Sequence, residues 1–334
     1  MKVIYGIGKV KEKFRNPILT VGVFDGVHRG HQKLIKHAVR RAKKINGTPM
    51  LMTFYPHPVK VMRPEKYLPY IISLPYRLTL IESLGIRVCI VLKFTKKMAA
   101  IAPTRFIQHY LERLIAPKEI IVGEDFSFGF NRRGTVDFLK SQSKEYAFSV
   151  KSLKPVLVKS PSRYSGGLAK IGSTLIRYLI AEGRLKEARA YLGRNVSVLG
   201  KVMKGDARGR ILGFPTINIY PAEEVVPPKG VYAILITIGS RKYEGMANIG
   251  VKPTFKPFNR QINIEAHIFS WHKNIYGEHV ILEFIKKMRE EEIFASRKHL
   301  IRQLQKDKSK ATGILSSSTS SSFSSLSVSA FRAL

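Results

Sequence analysis

A doubly wound α/β half followed by a small antiparallel barrel or sandwich is the architecture the sequence predicts. Strand-like and helix-like segments alternate from residue 18 to residue 158, whereas six short β-branched or aromatic runs follow Gly193 without intervening helices. The length agrees: 334 residues with 44% hydrophobic content suffice for two cores.

Residues 18–24 (ILTVGVF) form a β-rich apolar run ended by Asp25-Gly26. From His31 to Ile45 the apolar residues Leu34, Ile35, Ala38, Val39, Ala42 and Ile45 fall on one helical face, and Asn46-Gly47 ends the helix. Pro49–Phe54 reads as the next strand, so the order implies a βαβ crossover and a parallel sheet. Leu74–Leu84 predicts a helix stopped at Gly85, before the strand-like Ile86–Leu92. Pro103 suits a first helical turn, with Phe106, Ile107, Tyr110, Leu111, Leu114 and Ile115 on one face. Ile120–Val122 is another strand, residues 147–158 carry strand signals, and 173–191 read as helix interrupted near Gly183. The second half predicts strands at Val196–Met203, Thr216–Tyr220, Val231–Ile238, Tyr243–Ile249, Ile262–Phe269 and Val280–Ile285, then a helix from Ser296 to Lys306.

These signals divide the chain into 1–190, 191–310 and a tail at 311–334, where residues 316–329 hold ten serines in fourteen positions and no acid occurs. Such a composition lacks the apolar content for a core, so disorder is the expectation there.

The 58 Lys+Arg against 23 Asp+Glu give a formal charge of +35, which favours nucleic acid or another polyanion as partner. A lysine-rich solvated surface explains the same number. One cysteine, Cys89, excludes an intramolecular disulfide and any thiolate metal cluster. No apolar run is long enough for a membrane span, and the N-terminus lacks a signal-peptide block, so the expected location is cytoplasmic.

The sharpest motif is Gly22-Val23-Phe24-Asp25-Gly26-Val27-His28-Arg29-Gly30-His31, between a strand and a helix. A helix N-terminus presents unpaired N–H groups and the positive end of the dipole, which attract phosphate. Gly26 and Gly30 permit tight turning, and His28 and His31 can donate to one triphosphate during an in-line displacement. Lesser signals follow other strands. His57 lies between two prolines, where a stiff turn competes with a ligand role, and Asp125, Phe126 and Phe128 sit in a Gly-rich loop whose aromatics suit either a flat ring or packing. Ser173, Thr174 and Arg177 open a helix and suit an anion, or ordinary capping.

In the second half Gly209, Arg210, Gly213, Phe214 and Pro215 lead into a strand on which Thr216 and Asn218 share a face. Two neutral oxygens side by side suit Mg²⁺, whose other positions ATP phosphates and water can fill. Glu265, on a strand face with Asn263 and His267, suits a general base, although a surface glutamate reads the same.

His-x-Gly-His in its strand–loop–helix setting resembles the signature of the nucleotidyltransferase superfamily. GVFDGVHRGHQ, TFYPHP, GEDFSFG, KIGSTLIR, GRILGFPTIN, PPKGVYA, MANIGVKPTF and IEAHIF together resemble the bacterial bifunctional riboflavin kinase/FAD synthetase family over residues 15–307. The resemblance implies a Rossmann-like nucleotidyltransferase domain, then a six-stranded antiparallel Greek-key barrel with a C-terminal helix. It implies that the barrel phosphorylates riboflavin with Mg-ATP to give FMN, and that the α/β domain adenylylates FMN to FAD with release of pyrophosphate.

By the same likeness Gly22, Phe24, Asp25, Gly30, Ser173, Thr174 and Arg177 bind ATP with the catalytic His28 and His31. His57, Asp125, Phe126 and Phe128 shape the flavin side. Gly209, Arg210, Gly213, Phe214 and Pro215 bind the kinase ATP, Thr216 and Asn218 hold Mg²⁺, and Glu265 is the base for the ribityl 5′-hydroxyl. The expected partners are riboflavin, FMN and ATP, in a monomer or weak self-associate without membrane. The absence of a Lys-Met-Ser-Lys-Ser-like loop or a helix-turn-helix argues against nucleic acid. The chain departs from the family pattern at Gly172, where a serine is usual, at Ile217 for alanine and at Tyr55 for glutamate.

Overall fold

The computed structural model describes residues 1–159, 167–204, 208–221, 223–252 and 261–317. The Ser-rich residues from 318 onward and residues 253–260 (PTFKPFNR), which include the end of the MANIGVKPTF motif, lie outside the described residues. Two compact units are present: Met1–Leu68 with Arg77–Gly172, and Pro69–Tyr76 with Ser173–Leu334.

The first unit is built on strands β1 (Lys2–Tyr5), β2 (Ile18–Val21), β3 (Pro49–Tyr55), β4 (Val88–Lys93), β5 (Glu119–Gly123) and β6 (Ser149–Leu153). They form one parallel sheet in the order β1-β4-β3-β2-β5-β6. Leaving out the edge strand β1, this is the doubly wound order in which the chain turns back beside its first strand. The helix α1 (Arg29–Lys44) covers one face, packing Ala38 and Ala42 on Ile18 and Ile121. Phe106, Ile107, Leu111 and Ile115 cover the other face with Leu19, Met50, Met52 and Ile90. That second element begins as α-helix at Pro103–Phe106 and continues with π-helical winding over Ile107–Glu112, which the one-face pattern of its apolar residues does not distinguish from ordinary helix.

The second unit contains a closed antiparallel barrel of β7 (Val196–Met203), β8 (Ile217–Ile219), β9 (Gly230–Ile238), β10 (Arg241–Lys252), β11 (Gln261–Ile268) and β12 (His279–Arg289). Its order, β7-β8-β11-β10-β9-β12, places β8 beside the far strand of the β9–β10–β11 meander, the Greek-key arrangement. Closure leaves no exposed sheet edge. Helices α2 (Ser173–Ala181) and α3 (Leu185–Leu192) belong to this unit.

The last helix corrects the sequence reading. It spans α4 (Arg297–Ser316), past the expected end at Lys306, so residues 311–316 are helix rather than tail. Ala311 and Leu315 are buried against Val231, Ala233, Met246 and Met288 of the barrel. The serine run begins at Ser316, directly after this apolar face, and composition hides the face.

Candidate active sites

In the first unit, the chain leaves β2 into the loop 22–28 and leaves β5 into the loop 123–128, on opposite sides of the point where the strand order reverses. Ligands of doubly wound sheets gather at the carboxyl ends of such strands.

The β2 loop is conformationally strained. Phe24 (φ +53°) and Val27 (φ +41°) both lie in the left-handed region, which is rare for a β-branched residue. Their carbonyl neighbours are held from several sides. Thr53 Oγ1 donates to the Val23 carbonyl at 2.8 Å, Arg77 Nη1 donates to the same oxygen at 3.0 Å, and Gln32 Nε2 donates to the Val27 carbonyl at 2.9 Å. Arg77 is 0% exposed and faces Asp25, itself 1% exposed, at 3.7 Å from Nη2 to Oδ1. Asp25 and Phe24 therefore act inside the loop: a buried carboxylate paired with arginine braces the turn, and the buried Phe24 ring stands edge-on to His31 with centroids 5.1 Å apart. Arg77 escaped the sequence reading, which offered only an arginine among apolar residues in LPYRLTLI.

His28 caps α1, its Nδ1 accepting from the His31 backbone N–H at 3.3 Å. The two imidazoles stack with centroids 3.6 Å apart and planes 19° from parallel. Gly30 makes the cap possible, because a Cβ there would lie 3.1 Å from His28 Nδ1 and Cε1. Burial, then the neighbouring His28 and Arg77, hold His31 well below the ordinary 6.5, so its ring is neutral near pH 7. Its Nδ1 is buried without a hydrogen-bond partner among the described residues. The arrangement sets two stacked imidazoles, that of His31 neutral, at the positive end of α1, where an anion is favoured.

After β5, Asp125 pairs with Lys170. Partial burial raises the Asp125 pKa, but the Lys170 hydrogen bond and charge outweigh it and leave the carboxyl below its ordinary range. Phe126 stacks on Phe128 at 5.6 Å, and Phe128 is buried against Phe106 and Phe138. Phe128 thus serves packing, leaving Phe126 as the more exposed ring. His57 caps the short helix Pro58–Met62, Nδ1 accepting from Val59 N–H at 3.1 Å. Ser173, Thr174 and Arg177 belong to the second unit, where Arg177 Nε donates to the Pro69 carbonyl at 2.7 Å.

In the barrel, Gly209 lies in the helical turn Arg208–Ile211, and its carbonyl accepts from Phe214 N–H at 2.9 Å. A Cβ at Gly209 would meet the Phe214 carbonyl at 2.3 Å and Thr216 Oγ1 at 3.1 Å, so only glycine lets this turn close over Thr216. Only the backbone is described for Arg210. Gly213 has φ +80°, and the carbonyl of Pro215 bonds His267 Nδ1 at 2.8 Å while Phe214 stands edge-on to the same ring. Burial chiefly lowers the His267 pKa, with the Pro215 bond opposing and Lys308 assisting.

Thr216 directly precedes β8. Asn218 is paired in register with Glu265 of β11, and Glu265 with Asn248 of β10, so the three share one barrel face. Asn263, 3% exposed, donates through Nδ2 to Asn218 Oδ1 at 3.1 Å and to Glu265 Oε1 at 3.0 Å. Asn248 Nδ2 donates to Glu291 Oε1 at 2.9 Å. Asn248 and Glu291 were missed in the sequence because their strand-and-loop pairing is long-range. The donor set fits a hard cation: Thr216 and Asn218 present neutral oxygens beside one carboxylate, and no group of three His, Cys, Asp or Glu suited to a softer metal occurs among the described residues.

A parallel sheet with a strained loop and paired histidines at its switch point, followed by a closed barrel with a carboxylate beside neutral oxygens, is the architecture of a two-part transferase. The comparisons agree. A family model described as FAD synthetase matches residues 10–164, and one described as riboflavin kinase matches residues 192–315. The bifunctional riboflavin kinase/FMN adenylyltransferase of Buchnera aphidicola (Schizaphis graminum strain) is 33% identical over 92% of this chain and 96% of its own. That of Escherichia coli K12 is 32% identical with the same two coverages. The chain belongs to the bifunctional riboflavin kinase/FMN adenylyltransferase family. A crystal structure described as a macrolide-efflux protein from Streptococcus pneumoniae is 28% identical and covers 93% of this chain and 99% of its own, at a TM-score of 0.80. The efflux description belongs to that protein; among the described residues here, no helix is long and apolar enough to cross a membrane.

Proposed function

We propose that the chain's two reactions, riboflavin to FMN and FMN to FAD, are divided between these two constellations. In the first unit an FMN phosphate oxygen attacks the α-phosphorus of ATP, and pyrophosphate leaves. His28, His31 and the N–H groups at the start of α1 donate to the phosphate oxygens as charge moves onto the leaving group. Arg77 and Asp25 hold the loop, while Asp125, Phe126 and His57 border the flavin. Ser173, Thr174 and Arg177, which the family resemblance assigns to ATP, stand at the start of α2.

In the barrel Glu265 accepts the proton of the ribityl 5′-hydroxyl as that oxygen attacks the γ-phosphorus of ATP and ADP leaves. The hydroxyl is far less acidic than a carboxylic acid, so proton transfer is late and positioning supplies most of the acceleration. Thr216 and Asn218 would hold Mg²⁺, which supplies charge neutralisation for the phosphates when bound. Gly209, Arg210, Gly213, Phe214 and Pro215 form the turn beside Thr216 that suits the nucleotide. Small anionic substrates suit a basic protein without nucleic acid, with the surplus charge left as compositional background, and a single buried cysteine suits the cytoplasm.

The Asn218–Asn263–Glu265 hydrogen-bond chain is the observation that carries the kinase half of this reading. Substitution separates the halves. His28→Ala should convert riboflavin to FMN and stop there, whereas Glu265→Gln should leave riboflavin unphosphorylated yet still convert supplied FMN to FAD. Loss of both activities in either folded variant would refute the division.

A further inference from the structure

Two buried amide oxygens on the barrel's catalytic face remain without a partner among the described residues: Oδ1 of Asn263 and Oδ1 of Asn248. Their orientation follows from chemistry. Asn263 makes its contact at 3.0 Å to Glu265 Oε1, and Asn248 its contact at 2.9 Å to Glu291 Oε1. An ionised carboxylate only accepts, so each asparagine must turn its NH₂ toward the glutamate and its carbonyl oxygen away. The alternative flip would set oxygen against oxygen. What remains on each side chain is therefore an acceptor. A buried acceptor left unmade is destabilising, and a donor arriving with a ligand satisfies it.

The register places both acceptors around the proposed base. Asn248 is directly opposite Glu265 across the β10–β11 pair, and Asn263 is two residues before Glu265 on the same strand. The residue opposite Asn263 is Gly250, which brings no side chain to this part of the face. A Cβ on Gly250 would lie 2.8 Å from Glu291 Oε1 and 3.4 Å from Asn248 Nδ2, so the glycine also leaves space for the Asn248–Glu291 contact. The ligand chemistry that answers two spaced acceptors beside a base for a primary hydroxyl is a polyol chain bearing further hydroxyl donors.

We propose that Asn263 and Asn248 are specificity-determining residues of the kinase half, each accepting a hydrogen bond from a secondary hydroxyl of the substrate's side chain while its NH₂ is fixed by a glutamate. This rests on the assignment of riboflavin phosphorylation to the barrel. It adds a consequence that assignment alone does not have: the face distinguishes a polyhydroxylated chain from a simple ω-hydroxyalkyl chain. Binding the latter would bury the two acceptors unpaired, the situation in which enzymes reject an analogue lacking a hydroxyl most strongly.

The test compares riboflavin with 10-(5-hydroxypentyl)isoalloxazine carrying the same ring methyl groups, which keeps the terminal hydroxyl and lacks the secondary ones. The full chain should favour riboflavin in kcat/KM by roughly a hundredfold. Asn263→Leu should lower turnover of both substrates, because Glu265 loses its donor, but should shrink the preference for riboflavin at least about tenfold. Asn248→Leu, which leaves the Asn263–Glu265 bond in place, should shrink the preference with less loss of turnover on the analogue. FMN adenylylation by each variant and a thermal melt establish that the chain is folded. If Asn263→Leu does not fold, Asn263→Ser and Asn248→Leu carry the comparison. An unchanged preference in the folded variants overturns the inference. Failure of the unaltered chain to phosphorylate riboflavin refutes the underlying assignment instead, and the two failures are distinguishable.

Discussion

His31 illustrates how one side chain's surroundings set both chemistry and pH response. Its ring is stacked on His28, edged by Phe24 and near the buried Arg77, and burial is the largest influence keeping it neutral. The folded pKa lies below the unfolded value of 6.5, so below that value the unfolded chain takes up a proton that the folded chain refuses. Stability therefore falls as the pH drops from about 6.5 toward the folded pKa, and His31 contributes no pH dependence above that window. Melts of the unaltered chain and His31→Gln between pH 7.5 and 5.5 should show a shallower acid loss in the variant, with a residual slope from His37 and His267, whose values are also lowered. An equal slope in both would contradict the assignment of His31 as a buried neutral ring. The sequence showed the histidines and their spacing; it did not show Arg77, because a fully buried arginine has no periodic signature that separates it from an exposed one.

At the scale of elements, the helix α4 shows how far a strand–helix contact reaches. Arg289 on β12 donates from Nε to both Asp307 oxygens at 3.1 and 3.0 Å, and from Nη2 at 2.8 Å, while Gln303 Nε2 adds a bond to the same carboxylate at 2.9 Å. Asp307 is buried, so it depends on these donors. Arg289→Leu removes three of the four bonds and should destabilise the barrel unit by about 3–5 kcal/mol, read by denaturant unfolding; a change below 1 kcal/mol would mean that the carboxylate finds water instead.

The same helix marks the limit of sequence reading. Strand periods and Gly-Pro punctuation disclosed all six barrel strands to within a few residues, because alternating apolar residues must face a core. The end of α4 was lost because Ala311, Ile314 and Leu315 are its last three apolar positions, directly before the serine run. Likewise β1 was unassigned: four residues pairing only with β4 carry too short a pattern. Alternation along a strand was legible in the sequence, as with Thr216 and Asn218 at the start of β8 and Asn263, Glu265 and His267 on β11. Pairings between a strand and a distant loop were illegible, as with Asn248 and Glu291.

For the whole molecule, the formal charge of +35 exceeds what two nucleotide sites require. Its clearest physical consequence is attraction of ATP, FMN and pyrophosphate over roughly a Debye length, about 8 Å at physiological ionic strength. The division of labour makes a stronger claim on the chain than its charge does. The most direct measurement is a chromatographic time course of the full chain with riboflavin, ATP and Mg²⁺. FMN should rise first, then decline as FAD accumulates with release of pyrophosphate. Riboflavin remaining unchanged in the presence of folded protein would contradict the account.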